Sequence, residues 1–205
     1  MTRNAVIHVV DDDDSLRAAL ERLLMAAGYR VRTYASAGEF LLDPPDDSPG
    51  CLLLDLRMPG PSGLDLQEAL ERHGIRLPVI FQTGHGDLPT GIRAMKAGAV
   101  DFLVKPVARE ALLAAIARAL DLDAERRAAR AGDSELQSRF AQLTARERDV
   151  LELVVAGKLN KQIADALGIA ERTVKARRAE VMAKLGVATA AELGKIAAQL
   201  RPRGT

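Results

Sequence analysis

A chain of 205 residues that is 48% hydrophobic can bury one large or two small cores, which excludes disorder as its resting state. Its formal charge of +1 hides a gradient: basic residues number 13 against 17 acidic over residues 1–122, 4 against 4 over 123–141, and 12 against 7 over 142–205, so nucleic-acid contact is expected at the C-terminal end. The single cysteine, Cys51, excludes an internal disulfide, no apolar run nears the roughly 20 residues of a membrane span, and Met1 to Asn4 lead into a strand rather than a secretory signal, which together predict a soluble protein of the reducing cytoplasm.

In chain order, residues 6–10 read as a buried strand, and 15–27 carry Leu16, Leu20, Leu23 and Leu24 at helical spacing before stopping at Gly28. A strand over 30–34, a helix opened by Ser36 with Glu39 three residues on, and the strand Cys51-Leu52-Leu53-Leu54-Asp55 follow. Next come a helix from about Leu64, a strand over 78–83, a helix over 89–97 closed by Gly98, a strand over 101–104 and a helix over 108–120. Strands alternating with helices predict an α/β domain over 4–121, a five-stranded parallel, doubly wound sheet covered on both faces. Ligands gather at the carboxyl ends of such strands, where Asp11, Asp12, Asp55, Thr83 and Lys105 all fall.

Carboxylates gathered there repel one another by roughly 4 kcal/mol per pair at about 4 Å and an effective dielectric near 20, so a cation must join them. Lys105 is one source. An all-oxygen donor set also suits a hard ion, Mg²⁺ above all where a phosphoryl group is bound. His8 and His73 lack metal-ligand spacing with a cysteine or second histidine, which argues against zinc.

Residues 122–141 lose the strand signal and predict a helical linker, with Gly132-Asp133-Ser134 as its weak point and a bend expected there. From 142 the pattern is all-α. Thr144-Ala145-Arg146-Glu147 opens a helix ending near Gly157, a short helix covers 161–167, Gly168 turns, a basic helix covers 171–185, and Thr189-Ala190-Ala191-Glu192 caps a fourth. A short helix, a glycine turn and a longer basic helix form a helix-turn-helix pattern within a four-helix domain over 142–205.

Taken together, the chain resembles two-component response regulators of the FixJ/NarL type, a flavodoxin/CheY-like receiver joined to a LuxR-type DNA-binding domain. The resemblance rests on Val9-Val10-Asp11-Asp12-Asp13, Leu54-Asp55-Leu56-Arg57-Met58-Pro59-Gly60, Thr83-Gly84-His85-Gly86-Asp87, Met95-Lys96-Ala97-Gly98-Ala99 and Phe102-Leu103-Val104-Lys105-Pro106 in front. Behind, it rests on Leu143-Thr144-Ala145-Arg146-Glu147, Asn160-Lys161-Gln162-Ile163-Ala164 and Thr173-Val174-Lys175.

The resemblance implies that Asp55 accepts a phosphoryl group from a sensor histidine kinase. Mg²⁺ would be held by Asp12 and Asp55, by Asp11 through water, and by the backbone carbonyl of Arg57. Lys105 would pair with Asp55, Thr83 would answer the added charge, and Phe102 would swing as Thr83 shifts. A phosphorylated homodimer, promoter DNA and RNA polymerase are the other implied partners. Met95, Ala97 and Val100 suit either a dimer face or packing under their helix, and His85 either positions water or is an ordinary loop residue. On the basic helix, Lys175, Ala176 and Ala179 match base-reading positions, while Lys161, Arg172, Thr173, Arg177, Arg178 and Lys184 are expected at phosphates.

Two departures bear on the DNA target. Ala170 stands where the family usually has a capping serine, a loss of about 1 kcal/mol, and Arg177 replaces the usual histidine. A rival reading, an aspartate-nucleophile phosphohydrolase, needs a second aspartate two residues after the nucleophile; Arg57 stands there and cannot act as general acid. A ligand-gated regulator with the same rear domain would need an apolar pocket in front rather than an acidic cluster.

Overall fold

The computed structural model describes residues 5–84 and 88–200. The front half alternates strand and helix: β1 Val6–Val10, α1 Asp14–Ala26, β2 Arg30–Tyr34, α2 Ala37–Leu42, β3 Gly50–Asp55, α3 Gly63–Arg72, β4 Val79–Thr83, α4 Leu88–Lys96, β5 Asp101–Val104 and α5 Arg109–Ala141. The strands form one sheet in the order β2-β1-β3-β4-β5, with every neighbouring pair parallel.

Side chains alternate across each strand, and this period divides the core in two. Leu52 and Leu54 of β3 and Phe81 of β4 face Phe40, Leu66, Leu70 and Ala94 from α2, α3 and α4. Cys51 and Leu53 of β3 with Ile80 of β4 face Leu20, Leu24, Leu112 and Ile116 from α1 and α5. The helix starts are fixed locally. Asp13 caps α1 by accepting from the N–H groups of Ser15 and Leu16, and Ser62 and Asp65 close a reciprocal capping box on α3.

His8 lies in β1, 3% exposed, sharing a 3.2 Å hydrogen bond with the Tyr34 hydroxyl and meeting the edge of Phe40. Burial, aided by the nearby Arg32 charge and opposed by Asp46 and Asp43, presses its pKa from 6.5 to about 4, so the ring is neutral.

The chain divides into two compact units between Arg127 and Ala128. The front unit thus runs past residue 121, because the first turns of the expected linker bond back to it. Asp123, 3% exposed, accepts from the Gly50 N–H at 3.1 Å and from Arg127 Nε at 3.0 Å, while Arg127 also pairs with Asp47. At Gly132, the expected weak point, the helix is unbroken: α5 continues through it to Ala141. One exposed glycine costs about 1 kcal/mol, which the alanine-rich turns around it and the Glu135–Arg139 pair can carry.

The rear unit holds the end of α5 with α6 Ala145–Val155, α7 Asn160–Leu167, α8 Glu171–Leu185 and α9 Ala190–Leu200. Phe140 of α5 packs with Leu143, Leu151, Val181, Leu185 and Leu193, and Arg139 reaches the Leu185 carbonyl at the end of α8. A second cluster of Val150, Ile163, Ala164 and Val174 locks α6, α7 and α8 together. Gly168, at φ 64°, supplies the left-handed turn that ends α7.

Candidate functional site

Strand register brings the acidic residues together. Val10 pairs with Leu54, so the next residues, Asp11 and Asp55, leave neighbouring strands at one edge. Thr83 ends β4 opposite Val104, and the Lys105 N–H bonds to the Thr83 carbonyl at 2.7 Å, setting Lys105 beside them. Carboxylate oxygens of Asp11, Asp12 and Asp55 all lie within 4.8 Å of one another. Asp11 and Asp55 are buried, at 2% and 6% exposure, while Asp12 is open to solvent.

A single ammonium serves the two buried acids: Lys105 Nζ lies 2.6 Å from Asp11 Oδ2 and 2.7 Å from Asp55 Oδ1. The family resemblance pairs it with Asp55, and charge repulsion assigns it to the gathered carboxylates together. Burial raises the Asp55 pKa above its ordinary value, the Lys105 bond pulls it back, and the Asp11 charge raises it again. Burial works against the Lys105 charge, but bonds to two carboxylates outweigh it and raise that pKa too. The two shifts differ in origin: burial leads for Asp55, with the Asp11 charge adding to it, whereas for Lys105 the two carboxylates together prevail over burial. Three carboxylates around a shared gap form an oxygen donor set that fits Mg²⁺, and the main chain at Arg57, whose N–H bonds Asp55 Oδ2 at 3.2 Å, borders it.

Three neighbours escaped the sequence reading. Arg17 of α1 donates to the Asp11 carbonyl and pairs with Asp14, so the acidic run splits into two pocket residues, a helix cap and a surface ion pair. Gly63 opens α3 so close to β3 that any Cβ would strike the Asp55 carbonyl oxygen and press on Phe81 at 3.0 Å. At Gly91 of α4 a Cβ would stand 3.1 Å from the Phe102 ring, so α4 lies against that aromatic. Only the closeness of backbone to partner reveals these glycines, and composition carries no trace of it. Thr83 is buried and Phe102 half-buried; His85 lies outside the described residues.

In the rear unit, Val174, Val181 and Leu185 bury one face of α8. Arg172, Lys175, Ala176 and Ala179 are exposed on it, Thr173, Arg177 and Arg178 are half-buried, and Lys161 is exposed on α7. Ala170 provides no side-chain cap, as expected. Lys184, expected at a phosphate, is half-buried and already paired. Its ammonium lies 2.7 Å from Glu147, which is 5% exposed, and removing it to DNA would strand that carboxylate.

A family model of the response regulator receiver domain matches residues 7–117, and one of bacterial regulatory proteins of the luxR family matches 141–197. The chain belongs to the response regulators. This response regulator is 46% identical to Nodulation protein W of Bradyrhizobium diazoefficiens over 92% of its own length and 83% of that protein's. It is 44% identical to the transcriptional regulatory protein FixJ of Azorhizobium caulinodans, covering 96% and 93%. Among solved structures, the response regulator StyR matches with a TM-score of 0.84 at 47% identity, covering 96% of this chain and 99% of that one. Full-length FixJ from B. japonicum matches with 0.59 at 38%, covering 95% and 96%. A two-component, DNA-binding transcription regulator of the LuxR type is the resulting description, and the receiver architecture expected from the sequence is the one observed. Among the described residues no helix is long and apolar enough to cross a membrane.

Proposed function

We propose that Asp55 is the phosphoacceptor and that its acyl phosphate drives dimerisation and promoter binding. An Asp55 carboxylate oxygen attacks the phosphorus of a phosphohistidine on a sensor kinase, the P–N bond breaks, and the imidazole leaves with a proton. The observation that carries this reading is Lys105 held between Asp11 and Asp55, since that ammonium can turn from carboxylate to phosphoryl oxygens without leaving the pocket. Asp12, Asp55, Asp11 and the Arg57 carbonyl would hold Mg²⁺, which when bound offsets charge on the transferring oxygens.

A phosphoryl group adds about −1.5 to −2 charges, and Thr83 and Phe102 answer it, through α4 lying on the Phe102 ring. The α4–β5 surface exposes Ile92, Met95 and Val104 at 48%, 44% and 51%, which favours a dimer face there and supports Met95 among the sequence candidates. Ala97 is exposed beside it, whereas Val100 packs with the α1–α5 core. The paired rear units set α8 into the major groove at two half-sites about one helical turn apart. Lys175, Ala176 and Ala179 read bases; Lys161, Arg172, Thr173, Arg177 and Arg178 meet phosphates; RNA polymerase is the partner downstream.

With Mg²⁺ and beryllofluoride, a phosphoryl mimic, the protein is expected to pass from monomer to dimer in sedimentation and to bind DNA more tightly. Asp55→Ala should lose both responses. Equal dimerisation and affinity in that variant would overturn the proposal.

A further inference from the structure

Basic residues of α8 differ in what holds them. Lys184 is neutralised by buried Glu147 at 2.7 Å, and Lys175 faces the exposed Glu171 carboxylate at 3.6 Å. Arg178 is held by a neutral group: its Nη1 donates to Asn160 Oδ1 at 2.6 Å, across from α8 to the first residue of α7. Among the described residues no ion pair places a carboxylate on Arg178.

From this we infer that Asn160 is a positioning residue, holding the Arg178 guanidinium ready for a DNA phosphate. The inference rests on the reading of α8 as the DNA-facing helix. A carboxylate in this place would orient the guanidinium and cancel its charge, whereas an amide oxygen orients it and leaves the charge available. The hold also has to overcome a local repulsion, because the positive end of α7 disfavours a cation nearby. Arg178 has five donor hydrogens and Asn160 occupies one of them, so others remain for a phosphate. An arginine already confined to one arrangement loses less side-chain freedom on binding than a solvated one. The half-buried position of Arg178 fits this confinement.

The test measures affinity of the beryllofluoride-activated, full-length protein for a mixed-sequence duplex across a salt series, with melting curves for each variant. Arg178→Ala should weaken binding and flatten the log–log salt slope by about 0.9 per protomer, one phosphate contact fewer. Asn160→Ala should weaken binding about three- to tenfold with the slope unchanged, since no charge is lost. Asn160→Asp, nearly isosteric, should flatten the slope as Arg178→Ala does, because its carboxylate neutralises the guanidinium. In an Arg178→Ala background neither Asn160 change should cost more. Losses that persist undiminished in that background, or a slope unaltered by Asn160→Asp, would overturn the positioning role. An Arg178→Ala protein with wild-type affinity and slope would instead remove the underlying phosphate contact, a separate failure.

Discussion

Each unit of this response regulator buries a carboxylate against a lysine, and the two sites behave in opposite ways. Glu147 meets Lys184 at 2.7 Å and also accepts from the Thr144 N–H and hydroxyl at 2.7 and 2.9 Å. The Lys184 bond first, then the Thr144 backbone, press its pKa down to about 2. Asp55 shares its lysine with Asp11, and burial drives its pKa up. One carboxylate per ammonium, with its other lone pairs capped, is a closed structural element. Two buried carboxylates per ammonium leave a deficit of positive charge, and that deficit is what a metal ion can fill.

The largest expected effects break the two pairs. Lys105→Ala leaves Asp11 and Asp55 facing each other without a counter-charge and should cost the receiver about 3 kcal/mol in metal-free urea unfolding. Mg²⁺ should restore much of that loss. Lys184→Ala should cost the rear unit about 2 kcal/mol, less because Lys184 is partly solvated, and Mg²⁺ should restore none of it. Equal rescue of both variants by Mg²⁺ would erase the distinction between the sites. Asp55→Asn, by relieving repulsion, should leave metal-free stability unchanged or raise it.

Acid should separate the units next. His8 is neutral when folded, with a pKa near 4 against 6.5, so the unfolded receiver binds more protons between these values. This contribution is therefore complete only well above pH 6.5, falls as pH drops towards 4, and by then has lost about 3 kcal/mol from this ring alone. The charges of Arg32, Asp46 and Asp43 act on the ring and modulate the size of the loss. Glu147 works lower: its contribution is complete above the ordinary glutamate range, declines as pH falls below about 4.5 and is lost by about pH 2. His8→Phe should flatten the receiver's slope between pH 6.5 and 4 and leave the rear unit's unchanged.

The same contrast explains what the sequence could disclose. Strand ends and their acids were legible because period-2 alternation and parallel connections dictate where Asp11, Asp55 and Lys105 emerge. Helix starts at Ser36, Thr144 and Thr189 were legible because capping is local. The partner of Lys184 was not. Its charge and its place on α8 suited DNA equally well, and only the fold brings Glu147, 37 residues away, to its ammonium. The unit boundary was hidden for the same reason, since Asp123 bonds to Gly50 across 73 residues while its local sequence reads as solvated helix.

That boundary sets a smaller test. Arg139 and Phe140 belong to the rear core, so a fragment beginning at residue 142 should be less stable than one beginning at 128 by about 1–2 kcal/mol, the worth of a half-buried aromatic and a carbonyl bond. Thermal melting of the two fragments decides it, and equal midpoints would return the end of α5 to the linker.

The smallest effect concerns the cap that α8 lacks. Ala170 holds extended N-cap dihedrals, φ −70° and ψ 146°, yet offers no oxygen to the first turn. Because the backbone is already in capping geometry, Ala170→Ser needs no rearrangement for its hydroxyl to meet an N–H of that turn. The rear unit should gain about 1 kcal/mol, visible as a higher melting midpoint. DNA affinity is the sharper readout. If the uncapped N–H groups serve only the fold, the serine variant should bind DNA as the parent does. If they take part in phosphate contact, the new hydroxyl competes for the same donors, and affinity falls while stability rises.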